Sequence, residues 1–316
     1  MVIEKVFRLK HGFCRTFSSR MIRKPLRAVE DNDVTYKDEK ASAITDKNPF
    51  EVSAQKLSSL LSSFETRKFR EKKKLIYLEG RRLIEEALTS GIVPTTIFHT
   101  KPEYIEDLKL PKETQVLRIR FNDLKLWSNL ENPQGIVGFF KQPEKQFQPK
   151  DPYPLSVICD NVRDPSNMGA IIRTVAGAGC EMLYSTKGCV DIWNSKTLRA
   201  GSGGHFKIPL LSSLQWHDIE NLIPADSKVY VAISNVNNLP VGIPVVSYHE
   251  TTNEPRSTII MGGETEGVSD EALEFVKSRN GRAVHIPLRN NVESLSVAVA
   301  AGVLLFHLTS FCKENK

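Results

Sequence analysis

Asp160-Asn161-Val162-Arg163-Asp164-Pro165-Ser166-Asn167-Met168-Gly169 follows directly on an apolar run at 155–159 and leads into apolar residues at helical spacing as far as Ala178. A continuous apolar run, a polar loop, then a helix is the unit from which covered parallel sheets are built. The pattern recurs downstream. Strands are expected at 155–159, 182–185, 228–233, 258–261 and 283–286, with helices at 168–178, 216–222, 271–277 and 292–308. The fold class is therefore α/β, with a mainly parallel sheet covered on both faces. Ligands on such sheets bind outside the carboxyl ends of strands, so the loops after those strands are the candidate sites.

Three of these loops carry chemistry-bearing residues. In the first, Asn167 can cap the following helix and Asp164-Pro165 can form a turn. Arg173 lies beside Ile171, Ile172 and Val175, either as a plain exposed helical residue or as a cation for a phosphate. The second loop is Gly262-Gly263-Glu264-Thr265-Glu266-Gly267, whose glycines let backbone approach a ligand closely. It matches neither a dinucleotide nor a P-loop fingerprint, and reads otherwise as a tight turn before a helix. The third runs from Pro287 through Val292-Glu293-Ser294-Leu295-Ser296 into the small-residue segment Val297-Ala298-Val299-Ala300-Ala301-Gly302. There Ser294 and Ser296 either cap the helix or belong to a site, and the helix suits close packing against a neighbour, including a second subunit.

Upstream, residues 56–140 alternate strand and helix signals over about eighty residues, a small α/β domain of its own. Strands are expected near 76–80, 95–99, 116–119 and 135–140, and helices at 82–88 and 123–126. Residues 141–154, K-Q-P-E-K-Q-F-Q-P-K-D-P-Y-P, form a Pro-rich linker. The second domain then covers 155–313.

The 316 residues carry a net charge of +6, but the first 29 alone hold eight cations against one carboxylate. The remainder is close to neutral, so RNA or DNA affinity must come from local patches. A basic leader nearly free of acids, with Ser18, Ser19 and interspersed Phe and Val, suits a mitochondrial presequence; a basic arm touching RNA is the alternative. Residues 1–45 are assigned to that leader and a disordered segment. Five scattered cysteines and seven dispersed histidines give neither a disulfide framework nor a zinc spacing, so no metal is expected. No run is long enough to span a bilayer.

Taken together, D-N-V-R-D-P-S-N-M-G-A-I-I-R-T (160–174), M-G-G-E-T-E-G-V-S (261–269) and I-P-L…V-E-S-L-S-V (286–297) resemble the three signature motifs of the SpoU/TrmH RNA 2′-O-methyltransferases. The first domain resembles that family's RNA-binding domain through L-E-G-R-R-L-I (78–84) and N-P-Q-G-I (132–136), and with the leader the likeness is to mitochondrial ribosomal-RNA methyltransferases. The resemblance implies a trefoil knot, S-adenosylmethionine as cofactor, and a homodimer with a shared active site. It implies action in the mitochondrial matrix on ribosomal RNA, free or in an assembling ribosomal subunit, with the large subunit expected. Cofactor contacts fall on Gly262, Ile286 and Leu295, with Ile233, Gly263 and Leu288 beside them. Arg173 matches the family's catalytic arginine, with Asn167 and Glu264 as partners and Ser294 and Ser296 completing the site. Arg173 is the general base in the family proposal; because guanidinium holds its proton, fixing a phosphate and stabilising an alkoxide is the alternative. The third motif usually ends S-L-N, whereas Ser296 stands at that last position here.

RNA contact is expected from Lys68, Arg70, Lys72, Lys73 and Lys74, a basic run interleaved with Phe69, and from Arg81 and Arg82, with Lys196 and Arg199 as secondary candidates. Two other readings stay open: an RNA-binding assembly factor that has lost catalysis, and a transfer-RNA methyltransferase.

Overall fold

The computed structural model describes residue 64 and residues 66–310, apart from 129, 145–146, 235–241 and 252–254. The leader and the segment up to 63 lie outside the described residues.

Two sheets organise the chain. The first has four strands in the order β1-β4-β2-β3: β1 (Leu75–Glu79), β2 (Pro94–His99), β3 (Gln115–Arg118) and β4 (Ile136–Lys141). β4 pairs antiparallel with both β1 and β2, whereas β2 and β3 run parallel. Around it lie α1 (Arg67–Lys73), α2 (Arg81–Thr89) and α3 (Phe121–Trp127). Gly80 caps the start of α2 at a φ of 97°, which is open to glycine at little cost.

The second sheet has seven strands in the order β7-β6-β5-β10-β8-β11-β9, and every recorded pairing is parallel. The strands are β5 (Tyr153–Asp160), β6 (Cys180–Thr186), β7 (Leu210–Leu214), β8 (Lys228–Ile233), β9 (Val245–Ser247), β10 (Ser257–Gly262) and β11 (Arg282–His285). The helices are α4 (Pro165–Ala178), α5 (Ser195–Gly201), α6 (Trp216–Leu222), α7 (Asp270–Ser278) and α8 (Val297–Ser310). Side chains alternate across a strand, and here both faces are buried. Val157, Cys159, Leu183, Ile259 and Met261 pack with α4 and α8, whereas Ile158, Tyr184, Val231 and Ile260 pack with α6 and α7. This is why these strands read as continuous apolar runs rather than alternating ones.

Three expectations need correcting. The expected helix at 292–308 begins only at Val297, so Ser294 and Ser296 lie in irregular chain ahead of it. β5 starts at Tyr153 and takes in Pro154, both assigned to the linker; the ladder to β6 is irregular between Tyr153 and Ser156, where a residue without an N–H does no harm. Arg70 is not an RNA contact. It is 4% exposed, its Nε donates to Asp191 Oδ2 at 3.0 Å, and a second guanidinium nitrogen reaches the Phe64 carbonyl.

That ion pair ties α1 to the loop after β6. Leu198 and Phe206 extend the core of the first sheet from the other side, and Lys207 pairs with Glu86 at 2.9 Å. Arg70→Met is therefore expected to destabilise the protein by about 3–5 kcal/mol, because Asp191 would be left largely buried with, among the described residues, only the Trp193 N–H on its carboxylate. A urea titration reads this; a loss under 1 kcal/mol would show that the pair contributes little.

Candidate active site

In the seven-stranded sheet the chain leaves β5 outward through β6 and β7, then returns to build β8, β10, β11 and β9 on the other side. β5 and β10 are neighbours at this reversal, so the loops that follow them meet there. The meeting is close. A Cβ on Gly263 would lie 2.0 Å from the carbonyl oxygen of Asn161, and Asn161 itself sits at φ 56°. Arg163 and Glu266 pair across the two loops at 2.7 Å.

Beside this crossing a cleft of about 440 Å³ opens at the carboxyl ends of β8, β10 and β11. All six residues expected to hold cofactor line it: Ile233, Gly262, Gly263, Ile286, Leu288 and Leu295. Glu264 and Ser294 line it too. The volume is in the range of pockets that enclose drug-sized ligands. Its wall suits a nucleoside-type molecule: bare glycine backbone on one side, aliphatic Ile286, Leu288 and Leu295 on the other, and the Glu264 carboxylate and Ser294 hydroxyl as polar groups. A Cβ on Gly262 would meet Gly267 and Val268 backbone at 2.7 and 2.8 Å, so this wall tolerates no side chain there.

At the edge of the cleft three motif residues join in one hydrogen-bonded chain. The Ser296 hydroxyl donates to Asn167 Oδ1 at 3.1 Å, and Asn167 Nδ2 donates to Glu264. The orientation of Asn167 follows from chemistry: a carboxylate only accepts, so the amide NH₂ must face Glu264 and its oxygen must face Ser296. Ser296 thus supplies the one donor Asn167 needs. Asp164 caps α4 by accepting from the Asn167 N–H at 2.8 Å, which fixes the backbone of Asn167 as well.

Arg173 stands apart. It is exposed on α4, six residues beyond Asn167, and lines no part of the cleft. No side-chain hydrogen bond or ion pair of Arg173 is found among the described residues. Of the residues expected to bind RNA, Lys68, Lys72, Lys73, Lys74, Arg82, Lys196 and Arg199 are exposed. Arg81 is half-buried and already engaged, with Glu85 at 2.6 Å and Asp107 at 3.4 Å. Glu266, Val268 and Leu304 also line the cleft, and sequence reasoning did not single them out.

A parallel sheet with a glycine-walled cleft beside its reversal, and an Asn–Glu–Ser chain at its edge, defines an α/β domain with a strand-end site for a nucleoside-type ligand. Comparison makes this particular. Residues 154–306 match the SpoU rRNA Methylase family, and residues 56–138 match the MRM3-like substrate binding domain. The chain is 38% identical over 299 residues to human mitochondrial rRNA methyltransferase 3, covering 80% of this chain and 71% of that one. It is 31% identical over 245 residues to the 23S rRNA (guanosine(2553)-2′-O)-methyltransferase RlmP of Bacillus subtilis, covering 77% of this chain and 92% of that one. An AdoMet-bound rRNA methyltransferase from Sinorhizobium meliloti superposes with a TM-score of 0.66 at 23% identity, over 86% of this chain and 97% of that one. The chain belongs to the SpoU rRNA methylase family. It is accordingly an S-adenosylmethionine-dependent RNA methyltransferase.

Proposed function

We propose that this protein methylates a ribose 2′-hydroxyl of mitochondrial ribosomal RNA, with the large subunit as its target. The observation that carries the reading is the Ser296–Asn167–Glu264 chain at the edge of a glycine-walled cleft. The names of its relatives support the substrate class, including mitochondrial rRNA methyltransferase 3 and a ribose-2′-O enzyme acting on 23S rRNA. The leader supports a mitochondrial site of action, in the matrix. We further infer the division of the chain into a leader region (1–45), an RNA-binding domain (56–141), a linker (142–152) bounded by the strand ends at Lys141 and Tyr153, and a methyltransferase domain (153–313), with a trefoil knot in the last of these.

S-adenosylmethionine supplies a methyl group already activated on a sulfonium, so the protein's task is to place the hydroxyl and accommodate its proton. Gly262, Gly263, Ile233, Ile286, Leu288 and Leu295 hold the donor. Asn167, fixed by Ser296 and Glu264, presents its amide edge to the ribose. Arg173 fixes a phosphate of the substrate and stabilises charge on the attacking oxygen, since guanidinium keeps its proton. Ser296→Ala removes the donor to Asn167 Oδ1 and is expected to lower kcat about tenfold, with cofactor affinity retained. Single-turnover methylation checks this, and a wild-type rate would remove Ser296 from the site.

A homodimer completes the site in this reading. On α8, Val299 (52% exposed) and Phe306 (56% exposed) share a face with Gly302. α4 packs against α8, and its Ser166, Arg173 and Gly177 point outward. A Cβ on Gly177 or Gly302 meets nothing within 4 Å, so both helices present open, small-residue faces to a partner. Gly302→Leu adds a side chain into space that is empty in one chain. It is expected to leave the monomer folded and to abolish the dimer in sedimentation; an unchanged dimer would place the interface elsewhere.

Lys68, Lys72, Lys73, Lys74 and Arg82 on the first domain, with Lys196 and Arg199 on α5, are proposed to bind RNA phosphates. The function is tested by mapping 2′-O-methylation on mitochondrial rRNA and tRNA in cells carrying wild-type protein or Asn167→Ala. Loss at one rRNA position, restored by wild type, is expected. Loss confined to tRNA would move the substrate, and full methylation in the mutant would remove Asn167 from the chemistry.

A further inference from the structure

Asp160 closes β5 and is 1% exposed, yet none of the chemistry above uses it. Burying a carboxylate is costly unless its oxygens are taken up by donors, and both are. Oδ2 accepts from the Ser269 N–H at 2.6 Å and Oδ1 from the Thr186 hydroxyl at 3.0 Å. The Asp160 carbonyl accepts from the Gly263 N–H at 2.9 Å. Gly263 and Ser269 are the two ends of the glycine loop that walls the cleft. One residue of β5 therefore holds the loop at both ends.

The loop between those ends closes on itself. Gly263 donates to the Gly267 carbonyl at 3.2 Å, and Gly267 donates back at 3.0 Å. Beyond it, the Ser269 hydroxyl accepts from the Ala272 N–H at 3.2 Å and from Trp216 Nε1 at 3.0 Å, which locks the start of α7. The loop is a small closed ring whose two ends are held by Asp160, with Arg163–Glu266 and Asn167–Glu264 as exposed side-chain contacts along its length. Its inward face is the cleft wall, and its Glu264 is the anchor of Asn167.

We propose that Asp160 is a positioning residue for binding the methyl donor: its buried carboxylate and carbonyl pin both ends of the 262–269 loop and so hold the cleft wall in its binding shape. A carboxylate suits this position because both its partners are donors. The Ser269 N–H can only donate. The Thr186 hydroxyl already accepts from the Asn161 N–H at 3.4 Å, which leaves its proton for Asp160. An amide at 160 would satisfy Ser269 through its oxygen and offer an NH₂ to the second lone pair of Thr186, so Asp160→Asn keeps one arm and reverses the other, leaving the Thr186 proton without its carboxylate acceptor.

The proposal rests on the assignment of the cleft to S-adenosylmethionine. Its test has two readouts on the full chain: deuterium exchange of the loop amides without cofactor, and S-adenosylmethionine affinity by calorimetry. Asp160→Ala is expected to speed exchange at 263–268 about tenfold, with β10 unchanged, and to weaken affinity about tenfold. Asp160→Asn and Thr186→Val are expected to shift both readouts by about threefold. Unchanged loop exchange in Asp160→Ala overturns the pinning role. Faster exchange with unaltered affinity overturns the link to donor binding, and the S-adenosylmethionine affinity of a Gly263→Ala variant, whose Cβ would stand 2.0 Å from the Asn161 carbonyl oxygen, tests the cleft assignment by itself. If Asp160→Ala does not fold, Thr186→Val carries the test, and wild-type values for both of its readouts overturn the proposal.

Discussion

Gly263→Ala is expected to weaken S-adenosylmethionine binding by about a hundredfold or more. The reason is steric and local. The new Cβ would stand 2.0 Å from the Asn161 carbonyl oxygen and 2.7 Å from its carbon, and both are backbone atoms. Flexible side-chain tips can give way, but here neither segment is free to retreat. The Gly263 N–H is bonded to the Asp160 carbonyl, Gly263 and Gly267 exchange two hydrogen bonds, and Val162 is fully buried one residue past Asn161. The loop after β10 must lift off the loop after β5, and it carries Gly262 and Glu264 with it. Calorimetry on protein shown to be folded by its far-ultraviolet spectrum reads the result. Affinity within threefold of wild type would mean that the crossing is looser than it looks, and that the cleft beside it is not where the donor binds.

This crossing also marks the limit of what the sequence made legible. The strands of the larger sheet were readable because both of their faces are buried, so each is an apolar run ended by a polar loop. β8 and α6 fall where the pattern placed them, at Lys228–Ile233 and Trp216–Leu222. β7 and β9 were missed. They are edge strands, half-buried along Leu210–Leu214 and only three residues long at Val245–Ser247, so neither carries a strong periodic signal. The three loops stood out because strand ends on such sheets are where ligands bind. Their hydrogen-bonded partners did not, since Asn167 finds Glu264 97 residues away and Ser296 129 residues away. Arg70 illustrates the same limit from the other side. Within its own run it reads as one of five surface cations, and only Asp191, 121 residues further on, turns it into a buried clamp. Local composition identifies which residues are capable of chemistry, whereas the topology decides which of them meet.

Arg173 is where that distinction has the largest functional consequence. Arg173→Ala is expected to lower kcat by about 10²-fold or more while leaving S-adenosylmethionine affinity unchanged, because the side chain lines no part of the cleft in its own chain. In the dimer proposed above it serves the partner's site, and this makes a prediction that a single-chain site cannot meet. Arg173→Ala and Gly263→Ala chains are each expected to be nearly inactive alone. Mixed under conditions that exchange subunits, they form heterodimers in which the Gly263→Ala chain lends its intact Arg173 to the intact cleft of the other. Half of the randomly exchanged dimers are mixed, and each holds one working site of two, so activity is expected to recover to about a quarter of wild type. Recovery must also vanish when Gly302→Leu is added to both chains, since a side chain there blocks the α8 face without touching the cleft. If mixing restores nothing although exchange is shown by mass spectrometry, Arg173 acts within its own chain. α4 would then have to turn its outward face toward the cleft during turnover. The packing of Gly169 opposes that movement, because its own Cβ position lies 2.5 Å from the Thr197 carbonyl of α5 and leaves the helix no room to rotate.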